Sequence, residues 1–209
     1  MLIFQRKYYF IYLYIGGKLK VSQKEKKVRI MNIFVLHHDA MLAAHAHCDK
    51  HVPKMILEAA QMLSTAHRIL DGELYTAPSK SGKRMVNHYR LPVYDDIVYK
   101  AAYANHPCTQ WVIESSANYR FLFKLYKYLL GEFRFRFMKT HKSAELYEAL
   151  FTPPKNINDR LKQTPFALAM PDQYRANCPV QSYRNYYLGE KSDFAKWEKG
   201  REAPEWWNN

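Results

Sequence analysis

The clearest periodic pattern in the chain lies between residues 53 and 70. Apolar residues recur there every three or four positions, as on one face of an α-helix: Ile56, Ala59, Ala60, Leu63, Ala66 and Leu70. A separate polar stripe holds Lys54, Glu58, Gln61 and Thr65, and His51 continues it if the preceding helix is nearly coaxial. Pro53 fits a first helical turn, and Asp71-Gly72 ends the pattern. The sequence therefore predicts a helix whose polar stripe faces either solvent or a site.

Weaker patterns predict the other elements. Asp39 is a suitable N-cap for a first helix. The predicted helices cover residues 40–51, 96–104, 106–116, 117–138, 143–151 and 179–190. The run Asn-Ile-Phe-Val-Leu at 32–36 has a β-type composition, and residues 71–105 are otherwise loop-like with a flexible basic tip at 79–84. The predicted fold class is all-α, a mainly helical single domain with one short N-terminal strand at most.

The first thirty residues differ from the rest. Their apolar run at 8–15 is far shorter than the roughly 20 residues that span a bilayer, and basic residues flank it. We therefore expect no transmembrane segment, and we interpret 1–30 as an N-terminal extension that is disordered or weakly docked. A second methionine, Met31, opens the pattern of a compact domain, so the predicted domain covers residues 31–209.

The net charge indicates the kind of partner, and the cysteines indicate the redox compartment. Of the net charge of +13, residues 1–30 contribute +7 and residues 31–209 the remaining +6. A moderately basic domain suits a phosphate-rich partner such as nucleic acid. Cys48, Cys108 and Cys178 are odd in number and widely spaced, which excludes a disulfide scaffold and favours a reduced intracellular compartment.

A histidine-rich segment at 37–51 is a candidate metal site. His47 and His51 are four residues apart, so one helix face could present both to a metal ion. Cys48 stands where the zinc-protease pattern has its glutamate, and short-spaced Cys pairs of a structural zinc site are missing. A mixture of exposed and hydrogen-bonded histidines explains the segment better, and we expect neither metal nor cofactor.

The segment from 119 to 142 interleaves aromatic and basic residues. Nucleic-acid surfaces use cations for phosphates and rings for unstacked bases. At helical spacing, however, its apolar residues form an ordinary core stripe and its cations an ordinary solvated face. A second run, YRNYY at 183–187, shifts the balance towards a basic groove.

Three segments resemble the pyrimidine-dimer DNA glycosylase family. These are DKHVPKMILEAAQML at 49–63, NHPCTQW at 105–111, and the Tyr-containing helix with its Lys-rich turn that follows. The chain also resembles uncharacterised proteins of phages and large DNA viruses, which share its TPFALAMPDQY and YRNYY segments. For a viral protein, the intracellular compartment would be the host cytoplasm or nucleus.

The resemblance implies a small helical enzyme that excises the 5′ base of a UV dimer in duplex DNA and then nicks the backbone. The nucleophile in that family is the amine at the mature N-terminus, assisted by a nearby glutamate. An α-amino group has a pKa near 7.7–8.0, so much of it is free base at neutral pH. It can attack the sugar C1′, expel the base and form an imine.

Only some functional residues of the family motif have a match in this chain. Lys50, Lys54 and Pro53 match motif positions, but His51 stands where the phage-type motif has its catalytic glutamate. Asp49 or Glu58 could supply the carboxylate, and the amine could belong to Met31 or to a desolvated lysine. The predicted catalytic residues are Asp49, His51, Glu58 and His106. The predicted DNA-binding residues are Lys50, Lys54, Arg68, Trp111, Tyr119 and Lys142.

Two alternatives stay open at the level of the sequence. The first is a non-catalytic nucleic-acid-binding protein, which uses the same basic surface but needs no particular carboxylate. The second is a metal-dependent hydrolase built on Asp39, His45, His47, Cys48 and His51.

Overall fold

A computed structural model describes residues 11–15, 18–22, 31–79 and 81–208, with only the backbone described for the first two ranges. The chain divides into two compact units, 1–30 and 31–209. In the first unit, β1 (Ile11–Ile15) pairs antiparallel with β2 (Lys18–Ser22). The expectation of a disordered or weakly docked extension otherwise falls outside the described residues.

The second unit is mainly helical, which confirms the predicted fold class. Its longer helices are α1 (Ala40–Ala46), α2 (His51–Asp71), α3 (Pro107–Glu114), α4 (Ser116–Phe137) and α6 (Pro179–Lys191). Shorter helical pieces are a 3-10 helix (Lys142–Leu146) that runs into α5 (Tyr147–Phe151), a 3-10 turn (Asp172–Tyr174) and α7 (Glu205–Asn208). No helix in the described ranges is both long and apolar enough to cross a membrane.

Helix α2 is the centre of the unit, and it packs against α3 and α4. Its predicted apolar face is buried, with Ile56, Ala60 and Leu63 fully inaccessible to solvent. On α4, Phe121 and Leu125 are buried while Lys124 and Lys127 are exposed. Apart from the buried Arg136, the 119–142 segment is therefore a core stripe with a solvated basic face, as helical periodicity requires.

The first helix is shorter than predicted. It ends at Ala46 because the next backbone N–H groups have tertiary partners: that of Cys48 donates to the Tyr187 hydroxyl at 3.0 Å, and that of Asp49 to the Lys196 carbonyl at 2.9 Å. The chain restarts as a helix at His51. The predicted N-cap is confirmed, since the Asp39 carboxylate accepts from two backbone N–H groups of the first turn.

The predicted strand at 32–36 is wrong. This stretch is buried, but the Asn32 side chain accepts the N–H groups of Ile33 and Phe34, and Phe34 has a φ of 48°. A left-handed residue and two donors taken by a side chain are incompatible with a sheet ladder. The segment instead follows an irregular path through the core.

The prediction of loop throughout 71–95 is also wrong. β3 (Glu73–Pro78) pairs antiparallel with β4 (Met85–Arg90), from Glu73 opposite Arg90 to Pro78 opposite Met85. The polar tip between the strands lies where it was predicted. This hairpin projects from the helical core, and most of its side chains are exposed.

The predicted helix at 96–104 does not form. The Arg68 guanidinium accounts for this, because it donates to the carbonyls of Asp95, Val98 and Tyr99 at 2.6–2.7 Å. Those carbonyls would otherwise accept the i+4 N–H groups of a helix. Arg68 also donates to the Tyr89 carbonyl at 2.6 Å, so it ties the loop to the base of the hairpin.

Candidate functional site

Three of the quoted sequence segments meet at the start of the second unit. The Asn32 backbone N–H donates to a Glu58 carboxylate oxygen at 2.8 Å, and the Asn32 side chain donates to the Ala169 carbonyl at 2.8 Å. The Thr109 hydroxyl lies 3.8 Å from the Met31 sulfur. Helix α2, the NHPCTQW helix and the TPFALAMPDQY segment therefore converge on one dipeptide.

The YRNYY segment closes the same region from the other side. The Tyr183 hydroxyl donates to the Ala167 carbonyl at 2.6 Å and lies 4.0 Å from the Cys108 sulfur. Tyr186 stacks on Phe34 with ring centroids 5.6 Å apart. These contacts fix the path of the chain that follows Met31.

Glu58 is the carboxylate at this junction. Its side chain is 11% exposed, and its second oxygen lies 3.4 Å from the Lys54 ammonium, one helical turn away. Burial raises the pKa of the Glu58 carboxyl above its ordinary value, against the opposing effects of Lys54 and of the Asn32 N–H. A carboxyl in such a setting can hold or release a proton nearer neutral pH than a solvated one.

His51 lies in an aromatic cage and not on an open surface. Its ring is 2% exposed and has centroid distances of 5.0 Å to Phe34, 5.0 Å to Tyr187 and 5.3 Å to Phe194. Burial lowers the pKa of His51 to about 2, and its Nδ1 has no hydrogen-bond partner among the side chains and backbone groups that the structure describes. We therefore do not carry it into the proposed chemistry.

Asp49 belongs to a buried ion-pair cluster. Its carboxylate accepts from the Arg136 guanidinium at 3.1 Å and from the Glu198 backbone N–H at 2.8 Å. Arg136 also pairs with Glu132 at 2.8 Å, and Arg201 pairs with Glu132 at 2.6 Å. Both carboxylate oxygens of Asp49 are thus used in holding α4 and the C-terminal segment to the α1–α2 junction.

The other predicted residues divide by exposure. Lys50, Lys54 and Lys142 are exposed, with Lys50 also 4.7 Å from the Phe194 ring centroid. Arg68 is 4% exposed and uses its guanidinium within the chain, including a 2.7 Å ion pair to Asp95. The three lysines are therefore the predicted cations that can reach a phosphate.

The predicted stacking rings lie in the core. Trp111 packs against Phe121 and Phe166 and donates to the Thr164 carbonyl at 3.3 Å. Tyr119 is fully buried and donates to the Leu150 carbonyl at 2.8 Å. Neither ring is exposed to solvent. The structure therefore gives no support to their predicted role in stacking on a base, which stays a prediction.

His106 is half-buried at the start of α3. Its Nδ1 accepts the Cys108 N–H at 3.2 Å, which makes the histidine the N-cap of that helix. Burial lowers the pKa of His106, so the neutral ring that accepts this bond is favoured. The imidazole positions the helix that carries Thr109.

The geometry does not assemble the metal site of the hydrolase alternative. Within 31–79 and 81–208, no three His, Cys, Asp or Glu side chains lie close enough together to hold a metal ion. Each candidate ligand has another environment: His45 pairs with Glu132, His47 bonds the Ala43 carbonyl, and Asp39 caps α1.

One cavity of the second unit lies away from Glu58. Its volume is about 570 Å³, and it opens between the hairpin, the 95–101 loop and the 3-10 helix Lys142–Leu146. Arg68 forms part of its wall, and Lys142 lines it as well. The cavity lining therefore includes two of the predicted DNA-binding residues, but neither Lys54 nor Glu58.

Sequence reasoning missed Asn32 as a site residue. The β-type run around it drew attention to its backbone and not to its side chain. No pattern in the sequence indicates that Asn32 joins the 49–63 and 164–174 segments, because both contacts are distant along the chain.

No protein-family model matches this chain, and no curated protein and no solved structure is significantly similar to it.

Proposed function

We propose that this protein is a DNA glycosylase/lyase that acts on damaged duplex DNA, with pyrimidine dimers as the substrate class. The observation that carries the proposal is the Glu58 carboxylate, which accepts the N–H of the peptide bond between Met31 and Asn32 at 2.8 Å. The proposed nucleophile is the α-amino group of Met31 in a protein translated from that methionine, and it lies three covalent bonds from the Asn32 nitrogen. Cleavage is therefore assayed with residues 31–209, because residues 1–30 would make the Met31 nitrogen part of a peptide bond.

The chemistry follows from this juxtaposition. The free amine attacks C1′ of the deoxyribose, a C–N bond forms, and the glycosidic bond breaks as the base leaves with a proton. Protonation of the ring oxygen O4′ then opens the sugar as the C1′–O4′ bond breaks, which gives an imine. Loss of a C2′ proton with cleavage of the C3′–O bond releases the 3′ phosphate. Glu58 stabilises the positive charge that develops on the sugar, and its raised pKa suits it to transfer the ring proton.

Surface cations supply the contact with the DNA backbone. Lys54 is 51% exposed beside Glu58, and Lys50 is exposed one helical turn earlier. Each can contact a phosphate on the strand that carries the lesion. The three cysteines are free, which is compatible with the reducing host cytoplasm or nucleus that we propose as its location.

A non-catalytic DNA-binding protein is the second candidate function. It is favoured by the cations on the exposed face of α4, which need no carboxylate beside them. The two functions differ in what they require of Glu58, because simple backbone binding gains nothing from an acidic group in a basic surface.

The Glu58→Gln variant separates them. We expect about a 100-fold loss in the rate of strand cleavage on UV-irradiated duplex DNA, since the amide cannot transfer a proton or balance the charge on the sugar. Binding to the same duplex should change less than about twofold. Cleavage is measured on a denaturing gel and binding by fluorescence anisotropy.

Glu148→Gln is the matched control, because Glu148 is an exposed carboxylate on α5. It should cleave at the wild-type rate. Equal rates for wild type and Glu58→Gln would contradict the enzymatic proposal, whereas no cleavage by any variant together with intact binding would support the non-catalytic one.

A further inference from the structure

Most side chains of the hairpin β3–β4 are exposed, although Tyr75 and residues 87–89 border the 570 Å³ cavity. Leu74 is 57% exposed, Tyr75 40% and Met85 61%, and these residues lie on both strands and both faces. A two-stranded ribbon is marginally stable in water without a packing partner. At the base of the ribbon, the Arg68 guanidinium donates to the Tyr89 carbonyl at 2.6 Å and fixes the second strand to α2.

The free end of the ribbon is basic. Lys83 and Arg84 are exposed at the tip. A third cation, Arg90, lies at the base of the second strand, with its guanidinium 5.2 Å from the Tyr75 ring centroid. Glu73 is the one acidic side chain among the described residues of the hairpin. The surface therefore attracts an anionic partner.

The backbone at the tip is compact. The Ser79 N–H donates to the Arg84 carbonyl at 2.7 Å, and the Gly82 N–H donates to the Ser79 carbonyl at 2.7 Å. Gly82 has a φ of 70°, and a side chain there would meet nothing within 4 Å. The turn is thus closed, with free space around Gly82, which lets a large partner approach the exposed Lys83 and Arg84.

The dimensions fit one class of anionic partner. Six residues per strand give a ribbon about 20 Å long. The major groove of B-DNA, about 12 Å wide, admits a two-stranded ribbon of this kind. Thr76 and Asn87 face each other across the ribbon and are exposed, so they present hydrogen-bonding groups on one face.

We propose that the β3–β4 hairpin lies in the major groove of duplex DNA, with Lys83 and Arg84 contacting phosphates at the groove edges. The choice of duplex DNA rests on the proposed function, and the surface itself is a new element of it. The hairpin would hold the duplex while the Glu58 region acts on the damaged strand.

The double variant Lys83→Gln/Arg84→Gln in the full chain tests this. The probe is an undamaged 20-base-pair duplex with a fluorescent label, titrated at several salt concentrations. We expect about 10-fold weaker binding, and the slope of log affinity against log salt should decrease by about 2 because two phosphate contacts are lost.

A control variant removes the same charge elsewhere. Lys155→Gln/Arg160→Gln changes two exposed basic residues of the loop after α5. It should lower the affinity less than twofold and leave the salt slope unchanged. Equal losses in the two double variants would overturn the proposal, because they would show a general charge effect.

The outcome is separable from the catalytic proposal. Weaker duplex binding of the hairpin variant, with no cleavage of UV-irradiated DNA by wild type, would support the hairpin surface and contradict the enzyme. Unchanged duplex binding of the hairpin variant, with normal cleavage of UV-irradiated DNA by wild type, would contradict the hairpin surface and support the enzyme. Failure of wild type to bind duplex DNA would contradict both.

Two other anionic partners are outcomes of the same test. Single-stranded RNA of matched length, and vesicles of phosphatidylserine and phosphatidylcholine, are titrated in parallel. If the hairpin variant loses affinity for either of these and keeps its affinity for the duplex, the assignment to the major groove is overturned.

Discussion

Replacing Arg136 with methionine is expected to lower the free energy of unfolding by about 3–5 kcal/mol, because a buried ion-pair cluster loses its central cation. The Arg136 side chain is fully buried, and it donates to the carboxylates of Asp49 and Glu132 and to the carbonyls of His45 and His47. The variant leaves two buried carboxylates without that partner.

The titration behaviour of Glu132 is consistent with this role. Burial raises the pKa of its carboxyl, but hydrogen bonds from Arg201 and Arg136 outweigh that effect and hold the pKa below its ordinary value. In the Arg136→Met variant we expect that pKa to rise. Urea unfolding followed by circular dichroism measures the stability change.

Arg134→Met is the matched control, since Arg134 is an exposed arginine on the same helix. Its free energy of unfolding should stay within about 0.5 kcal/mol of wild type. A loss below about 1 kcal/mol for Arg136→Met would show that the cluster contributes little to stability.

Lowering the pH from 8 to 5 is expected to cost about 4 kcal/mol of stability through two buried histidines. Burial lowers the pKa of His47 to about 4 and that of His51 to about 2, from 6.5 in the unfolded chain. Their contribution is fully present above pH 6.5 and is lost as the pH falls, because only the unfolded chain takes up the protons. Each histidine accounts for a loss of about 2 kcal/mol in the free energy of unfolding between pH 8 and pH 5.

The variant His51→Phe isolates half of this effect. A phenyl ring suits the cage of Phe34, Tyr187 and Phe194 and takes up no proton. The loss of stability between pH 8 and 5 should be smaller than in wild type by about 2 kcal/mol. An identical pH dependence in wild type and His51→Phe would contradict the assignment.

Local patterns predicted the helices well. The bounds of α2 and α4 follow from apolar periodicity together with proline, glycine and capping residues, all of which act within a few positions along the chain. The end of α1 and the open loop at 96–104 depend on distant groups instead. Tyr187 and Lys196 take the N–H groups that would have extended α1, and Arg68 takes the carbonyls that a helix at 96–104 would have used.

The sequence predicted one contact of the candidate site and missed two others. Helical spacing predicted the neighbouring Lys54 and Glu58, and the structure places them 3.4 Å apart. The same spacing put His51 on that polar stripe, but Tyr187 and Phe194 cover its ring. A wheel diagram contains no information on which distant segment covers the end of a helix. The contact of Asn32 with Glu58 joins positions 26 residues apart and was equally out of reach.

The central claim is that an amine beside Glu58 attacks the sugar of a damaged nucleotide. Its most direct test is to incubate the protein with UV-irradiated duplex DNA and sodium borohydride, which reduces the imine to a stable bond, and to map the adduct by mass spectrometry. With a protein translated from Met31, we expect a covalent adduct on the Met31 α-amino group. An adduct on Lys54, or no adduct under conditions where the duplex is bound, would contradict it.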